Sequence, residues 1–218
     1  LALLLAMTWG LVPEHYNYWL DRADYEAGTD WEKPLLADTQ TLMDAVSSQK
    51  GMPPSEDSAF ISIDSATTRD IDDAFRMTAA SDGGWDVEVA LACPAWFWDF
   101  DSALGRAVFH RATSIYLPEG NCHMMPEALG EGAFSLFEGE ARPALIIGAH
   151  VAPDGTLGEG TFRVATIRIA RNLNYPDCEA ALDGADNPAA PFVDMLRLAA
   201  DMSVRRLDWR VEHGAVII

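Results

Sequence analysis

The sequence predicts a mixed α/β (α+β) fold, in which strands and helices follow a short N-terminal helical element. Residues 85–92 alternate apolar side chains with polar or small ones, which is the period of a half-buried strand. Residues 191–210 have the helical period and carry one apolar stripe: Val193, Leu196, Ala200, Val204 and Leu207. With 218 residues, 49% of them hydrophobic, the chain can bury a substantial core in one large domain or a domain with an appendage.

Residues 1–56 predict a small helical element and a linker. Their Trp, Tyr and Leu residues have helix-like spacing, and a helix is expected over 36–48 with its apolar stripe at Leu36, Leu42, Met43 and Val46. The Gly and Pro residues of 50–57 indicate a linker, so we place a domain boundary after residue 56. A winged-helix remnant is one interpretation of this element. Because the first residue is Leu, we expect the sequence to begin inside a longer protein.

Residues 57–218 predict the second unit. A hairpin is expected around the turn at 81–84, and a second pair of strands around the turn at 153–155. Strands are predicted at 60–64, 74–78, 85–92, 143–151, 162–170 and 215–218, and helices at 102–113 and 191–210. Since the chain ends on a strand-like run, we expect partner elements beyond residue 218.

The charge and the cysteines limit the class of protein. The net charge is −19, whereas a general nucleic-acid coat protein would be basic. Either the substrate is not nucleic acid, or it meets a local basic patch, or basic domains lie elsewhere. Cys93, Cys122 and Cys178 lie far apart, which argues against a zinc site and, without a secretory leader, favours the cytoplasm. No run approaches the roughly 20 apolar residues of a membrane helix, so no membrane partner is expected.

Four aspartates, Asp64, Asp70, Asp72 and Asp73, fall within ten residues and follow an apolar run. Like charges this close repel by about 1 kcal/mol per pair at about 4 Å even in water, so a fold that gathers them calls for a cation. Carboxylate oxygens suit Mg²⁺ or Mn²⁺. A solvated acidic loop and a structural ion site remain alternatives. A calcium loop fails, because Ala74 and Phe75 stand where a ligand and a glycine are needed. Phosphodiester cleavage is the leading chemistry.

Residues 63–74 resemble the signature of the RNB catalytic domain of the ribonuclease II/ribonuclease R exoribonucleases. Further segments agree with that family in order and spacing: 89–92, 111–118, 125–129, 134–136, 142–145, 166–167 and 173–175. The resemblance extends over residues 57–218. It implies a curved, barrel-like sheet with outer helices.

The resemblance also implies an activity and a site. The family hydrolyses single-stranded RNA from 3′ to 5′, releasing nucleoside 5′-monophosphates, with Mg²⁺ or Mn²⁺. Asp64 and Asp73 would be direct metal ligands, and Asp70 and Asp72 would be the catalytic pair that positions a second ion or the attacking water. Asp72 would be the most damaging single loss. Tyr116 would stack on a base near the RNA 3′ end.

Two residues depart from the family pattern. Cys93 stands where an aspartate is common, and Ile217 stands where a second stacking aromatic is expected. The family domain continues with an Arg and a Glu near the scissile phosphate and with an OB-type RNA-binding domain. We expect these in the same polypeptide or a partner chain, so that the isolated chain is incomplete. The alternatives are a non-catalytic RNA-binding or regulatory protein that retains the RNB fold, and a nuclease that acts on DNA.

Overall fold

The computed structural model describes residues 1–57, 59–118 and 120–217. Its α-helices are α1 (Ala2–Thr8), α2 (Tyr18–Arg22), α3 (Leu36–Ser47), α4 (Ala103–Arg111), α5 (Tyr175–Leu182) and α6 (Val193–Glu212). Its strands are β1 (Phe60–Asp64), β2 (Asp73–Ala79), β3 (Trp85–Ala92), β4 (Ile115–Leu117), β5 (Gly120–Cys122), β6 (Ala141–Val151) and β7 (Thr161–Asn174). Short 3₁₀ turns cover Asp30–Leu35, Pro94–Trp96 and Ala190–Phe192, and a π-helical turn covers Leu129–Ala133.

Five strands close into a barrel in the order β1-β2-β3-β6-β7, which confirms the barrel-like mixed fold. Successive neighbours are antiparallel, and β1 closes the barrel by pairing in parallel with β7. Closure pairs every strand on both sides, so the barrel has no exposed edge. Apolar side chains from all five strands fill the interior, with Phe60, Ala90, Ala144 and Ile146 fully buried.

The N-terminal segment packs onto the barrel unit rather than standing apart from it. Leu42 and Val46 of α3 share a buried cluster with Leu104 of α4 and with Phe134. The predicted linker is pinned to β7, because Thr166 Oγ1 donates to the Pro53 carbonyl at 2.7 Å. No residue from 1 to 54 lies in a strand, so these helices carry no β-wing. The domain boundary after residue 56 stays a prediction.

Three details of the sequence prediction are wrong. On α3, Leu36 is 61% exposed, and Leu35 is buried in its place because the preceding 3₁₀ turn directs it inward. On α6, Val204 and Leu207 are exposed. The helix instead turns a neighbouring apolar stripe towards Trp85 and Val151: Met195, Leu198, Ala199 and Met202. Finally, residues 215–217 lie outside any strand, and residue 218 lies outside the described residues.

Across the described residues, no helix is both long and apolar enough to cross a membrane.

Candidate active site

The aspartate loop, defined here as residues 64–73, connects two adjacent strands of the barrel. Asp64 ends β1 and Asp73 begins β2. Between them, Ile71 inserts into the barrel core and is 5% exposed. Its neighbours Asp70 and Asp72 are half-buried and exposed, respectively. An apolar anchor between two carboxylates therefore keeps both at the rim of the barrel.

Buried hydrogen bonds fix the backbone of this loop. The Ser135 hydroxyl donates to the Arg69 carbonyl at 2.8 Å and accepts the Ile71 N–H at 2.9 Å. The Leu136 N–H donates to the Ile71 carbonyl at 2.9 Å, and the Ala92 N–H donates to the Asp72 carbonyl at 2.7 Å. The sequence interpretation did not single out Ser135. Its signals were a small polar residue between the apolar Phe134 and Leu136 and the agreement of residues 134–136 with the family pattern.

The four carboxylates influence one another electrostatically. Asp72 reaches the surface, but the protein atoms crowded around it remove enough hydration to raise its pKa, and the charges of Asp70, Asp73 and Asp64 raise it further. Burial likewise raises the pKa of Asp64; hydrogen bonding by Ser62 partly offsets this rise, and the charges of Asp73 and Asp70 add smaller contributions upward. The Asp64 Oδ2 atom is buried, and no residue in the described part of the chain donates a hydrogen bond to it. The site thus concentrates negative charge that the loop itself leaves unsatisfied.

These features fit a hard divalent cation in their chemistry. In residues 1–57, 59–118 and 120–217, no three Asp, Glu, His or Cys side chains converge closely enough to form a protein cage for an ion. Mg²⁺, however, usually keeps several waters and binds one or two carboxylates together with substrate phosphates. The buried Asp64 oxygen without a hydrogen-bond donor and the raised pKa values of Asp64 and Asp72 fit such a partly open site.

Tyr116 joins the aspartate loop through its hydroxyl. It lies in the middle of β4, opposite Asn121 of β5, and its hydroxyl donates to Asp70 Oδ2. Burial and this hydrogen bond raise the pKa of Tyr116 to about 12, so the phenol stays protonated as a donor. The residue remains 59% exposed, which leaves its ring open to a stacking partner. The structure thus brings Tyr116, the residue predicted to stack on a base, into contact with Asp70, which was predicted to be catalytic.

The N-terminal segment holds the β4–β5 hairpin that carries Tyr116. Arg111, only 6% exposed, lies with its guanidinium 4.0 Å from the ring centre of Tyr25 and 4.1 Å from that of Trp31. Arg111 also donates to the Glu26 carbonyl at 3.0 Å and to the His123 carbonyl at 2.7 Å. Sequence reasoning missed this contact, although the aromatic richness of residues 1–50 was its visible signal.

Of the two departures from the family pattern, Cys93 lies beside the aspartate loop, because its neighbour Ala92 donates to the Asp72 carbonyl. Cys93 follows β3 directly, and its N–H donates to the Pro143 carbonyl at 2.9 Å. Burial raises the pKa of the Cys93 thiol, so the side chain is neutral where a carboxylate would be charged. Ile217 follows α6 and is 65% exposed.

Comparison with known proteins relates this geometry to a family. The sequence model of the RNB domain matches residues 55–218. Exoribonuclease 2 from Sodalis glossinidius (strain morsitans) is 36% identical over 183 residues, which are 81% of this chain but 28% of that protein. The chain therefore spans little more than a quarter of that relative's length.

Solved structures share the fold. RNase R from Mycoplasma genitalium, in complex with double-stranded RNA, superposes with a TM-score of 0.69 at 20% identity, over 97% of this chain and 35% of that one. Yeast Ssd1, described as a pseudonuclease, superposes with a TM-score of 0.56 at 12% identity, over 74% of this chain and 19% of that one. At such identities the likeness shows the architecture alone, and a nuclease and a pseudonuclease share it.

Proposed function

The chain belongs to the RNB domain family, and from this premise we propose that it carries the metal-binding carboxylates of a 3′→5′ exoribonuclease. The proposed reaction is the hydrolysis of single-stranded RNA to nucleoside 5′-monophosphates with Mg²⁺ or Mn²⁺. One observation carries the proposal. Four aspartates occupy a braced loop, in contact with an exposed tyrosine, and the described residues supply no ion pair to balance them.

The residues divide the work as follows. Asp64 and Asp73 would hold the cation, and Asp70 and Asp72 would orient a second ion or the water that attacks the phosphodiester nearest the RNA 3′ end. The bound cation supplies charge neutralisation and a more acidic water. The exposed face of Tyr116 stacks on a base near the RNA 3′ end, which is worth about 1–3 kcal/mol and tolerates every base.

The strongly acidic chain needs additional positive charge to bind RNA, which is a polyanion. With 34 acidic and 15 basic residues, it would repel the phosphate backbone at long range. The proposal therefore includes regions that are expected to supply positive charge: the part of the domain with an Arg and a Glu near the scissile phosphate, and an OB-type domain that binds RNA. Both are proposed to come from the same polypeptide or a partner chain.

The direct test uses the complete protein and an RNA labelled at its 3′ end. With Mg²⁺, labelled mononucleotide should appear first, and EDTA should stop its release. Asp72→Asn should lower the rate by about 10²- to 10⁴-fold, the usual range for losing a group that directs proton transfer. Asp86→Asn, which removes the same charge from an exposed site on β3, is the matched control and should retain the rate. A parallel DNA oligonucleotide tests the sugar preference.

A non-catalytic RNA-binding protein is the second candidate. The neutral Cys93 beside the core strand favours it, as does the shared architecture with a pseudonuclease. RNA that binds to the complete protein in Mg²⁺ or Mn²⁺ without releasing any nucleotide would support this second function and refute the first. The variant Cys93→Asp then tests why hydrolysis is absent. If this variant hydrolyses RNA, the absence of activity is caused by the cysteine at position 93.

A further inference from the structure

The hydroxyl of Ser135 makes its two hydrogen bonds on either side of Asp70. One bond reaches the Arg69 carbonyl, which belongs to the peptide group before Asp70, and the other holds the Ile71 N–H, which belongs to the peptide group after it. Ser135 is fully buried, so no water competes for these positions. Holding both flanking peptide groups restricts the two backbone torsions of Asp70, and so the direction of its side chain.

Ser135 is itself attached to the barrel. Its carbonyl accepts a hydrogen bond from Arg142 Nε of β6 at 3.1 Å, and the next residue, Leu136, holds the Ile71 carbonyl. Residues 135 and 136 lie before β6 and outside any strand, so the barrel strand anchors the aspartate loop through this buried segment. This anchoring opposes the repulsion among the four carboxylates, which favours an opened loop.

We propose that Ser135 is a positioning residue that holds Asp70 and Asp72 in the arrangement a divalent cation requires. The inference rests on the proposed function. Groups that orient metal-ligating carboxylates typically change metal affinity or activity by about 10–100-fold when they are removed. Ser135 does not touch substrate or ion, so its effect passes through the backbone of the aspartate loop.

The test compares Ser135→Ala with Thr166→Val in the complete protein. Thr166 is the matched control because it is also buried on the barrel and donates one hydrogen bond to a backbone carbonyl, that of Pro53. Mn²⁺ affinity is measured by electron paramagnetic resonance, and unfolding is followed without metal. Ser135→Ala should weaken Mn²⁺ binding by about 10–100-fold and lower kcat, with a smaller change in KM. Thr166→Val should lose stability but keep its Mn²⁺ affinity.

Ser135→Cys is the second variant, since it preserves the buried volume if the alanine variant fails to fold. The thiol is a weak donor and acceptor, so this variant should also lose Mn²⁺ affinity while folding. Wild-type Mn²⁺ affinity in the folded serine variants, or an equal loss in Thr166→Val, would overturn the positioning role while leaving the proposed function intact. A wild-type protein that neither binds Mn²⁺ nor hydrolyses RNA would overturn both.

Discussion

Two groups of carboxylates on this barrel differ in whether their negative charge is neutralised by ion pairs. Glu56 and Glu88 lie between two arginines: Arg163 Nη2 is 2.7 Å from Glu56 Oε1, and Arg76 Nε is 2.5 Å from Glu88 Oε2. Hydrogen bonding by Arg163 lowers the pKa of Glu56. Burial alone would raise the pKa of Glu88, but bonds from Arg163 and Arg76 outweigh it and lower that pKa.

The aspartate loop has the reverse character. The pKa values of Asp64 and Asp72 are raised, and no ion pair to the four aspartates occurs among the residues that the structure describes. This difference in charge neutralisation suggests a way to recognise a ligand-binding site from its electrostatics. Carboxylates that the chain neutralises itself contribute to stability, whereas carboxylates left to repel one another require something from outside the chain.

Among the effects on binding and stability, the largest expected one tests whether the aspartate loop is the side that is open to a ligand. Tyr116→Ala should remove base stacking and weaken RNA binding by about 1–3 kcal/mol, which is roughly 5- to 150-fold. Tyr116→Phe keeps the ring but loses the hydroxyl that Asp70 accepts, so it should bind RNA normally and turn over more slowly. Binding is measured by fluorescence anisotropy in Ca²⁺, and turnover in Mg²⁺. Equal RNA affinities for the alanine variant and the wild type would contradict the stacking role.

A smaller effect is expected on the neutralised side. Glu88→Gln should lower the free energy of unfolding by about 1–2 kcal/mol, between the values for exposed and buried ion pairs, because two guanidinium groups lose a charged partner. For a chain of this size the melting temperature should fall by roughly 2–4 °C per kcal/mol. RNA hydrolysis should be unaffected below that temperature. Calorimetry and the nuclease assay check the two halves of this expectation, and a loss of hydrolysis at unchanged stability would refute it.

The smallest effect is a difference in the sign of the pH dependence. A carboxyl whose folded-state pKa is raised takes up its proton at a higher pH in the folded protein than in the unfolded chain. The folded protein therefore gains stability from Asp64 and Asp72 as pH falls towards the ordinary pKa range of aspartate. Glu56 and Glu88, with lowered pKa values, contribute stability above the ordinary Glu range and lose it as pH falls further.

Urea unfolding without metal checks these signs. At about pH 7, the double variant Asp64→Asn/Asp72→Asn should exceed the wild type by up to about 1 kcal/mol, and the excess should shrink towards about pH 4.5. The variant Glu56→Gln should show the opposite trend. A double variant less stable than the wild type at neutral pH would mean that the aspartates are not mutually repulsive.

Sequence patterns predicted strand β3 best, because its apolar residues alternate with polar or small ones. The predicted strand at 85–92 matches β3 residue for residue. Helix faces were harder. Helix α6 has two apolar stripes, and only the position of Trp85 and Val151 selects the one through Leu198 and Met202.

In the candidate site, too, the sequence predicted the residues of local motifs but not the contacts between distant segments. The spacing of the four aspartates pointed to a cation, and the resemblance of residues 111–118 pointed to Tyr116. Ser135 is 64 residues from the amide it accepts, and Arg111 is 85 residues from the Glu26 carbonyl. Contacts at such separations depend on barrel closure and on packing, which local periodicity does not encode.

The parallel pairing of the first and last barrel strands has a consequence for biosynthesis. Asp64 pairs with Asn174, and Asn172 donates to the Ser62 hydroxyl from 110 positions away. Contacts of this sequence separation form late in folding. A ribosome must therefore release the chain beyond Asn174 before the strand bearing Asp64 acquires its final neighbour. Until then the nascent protein holds its four acidic residues on an unclosed sheet.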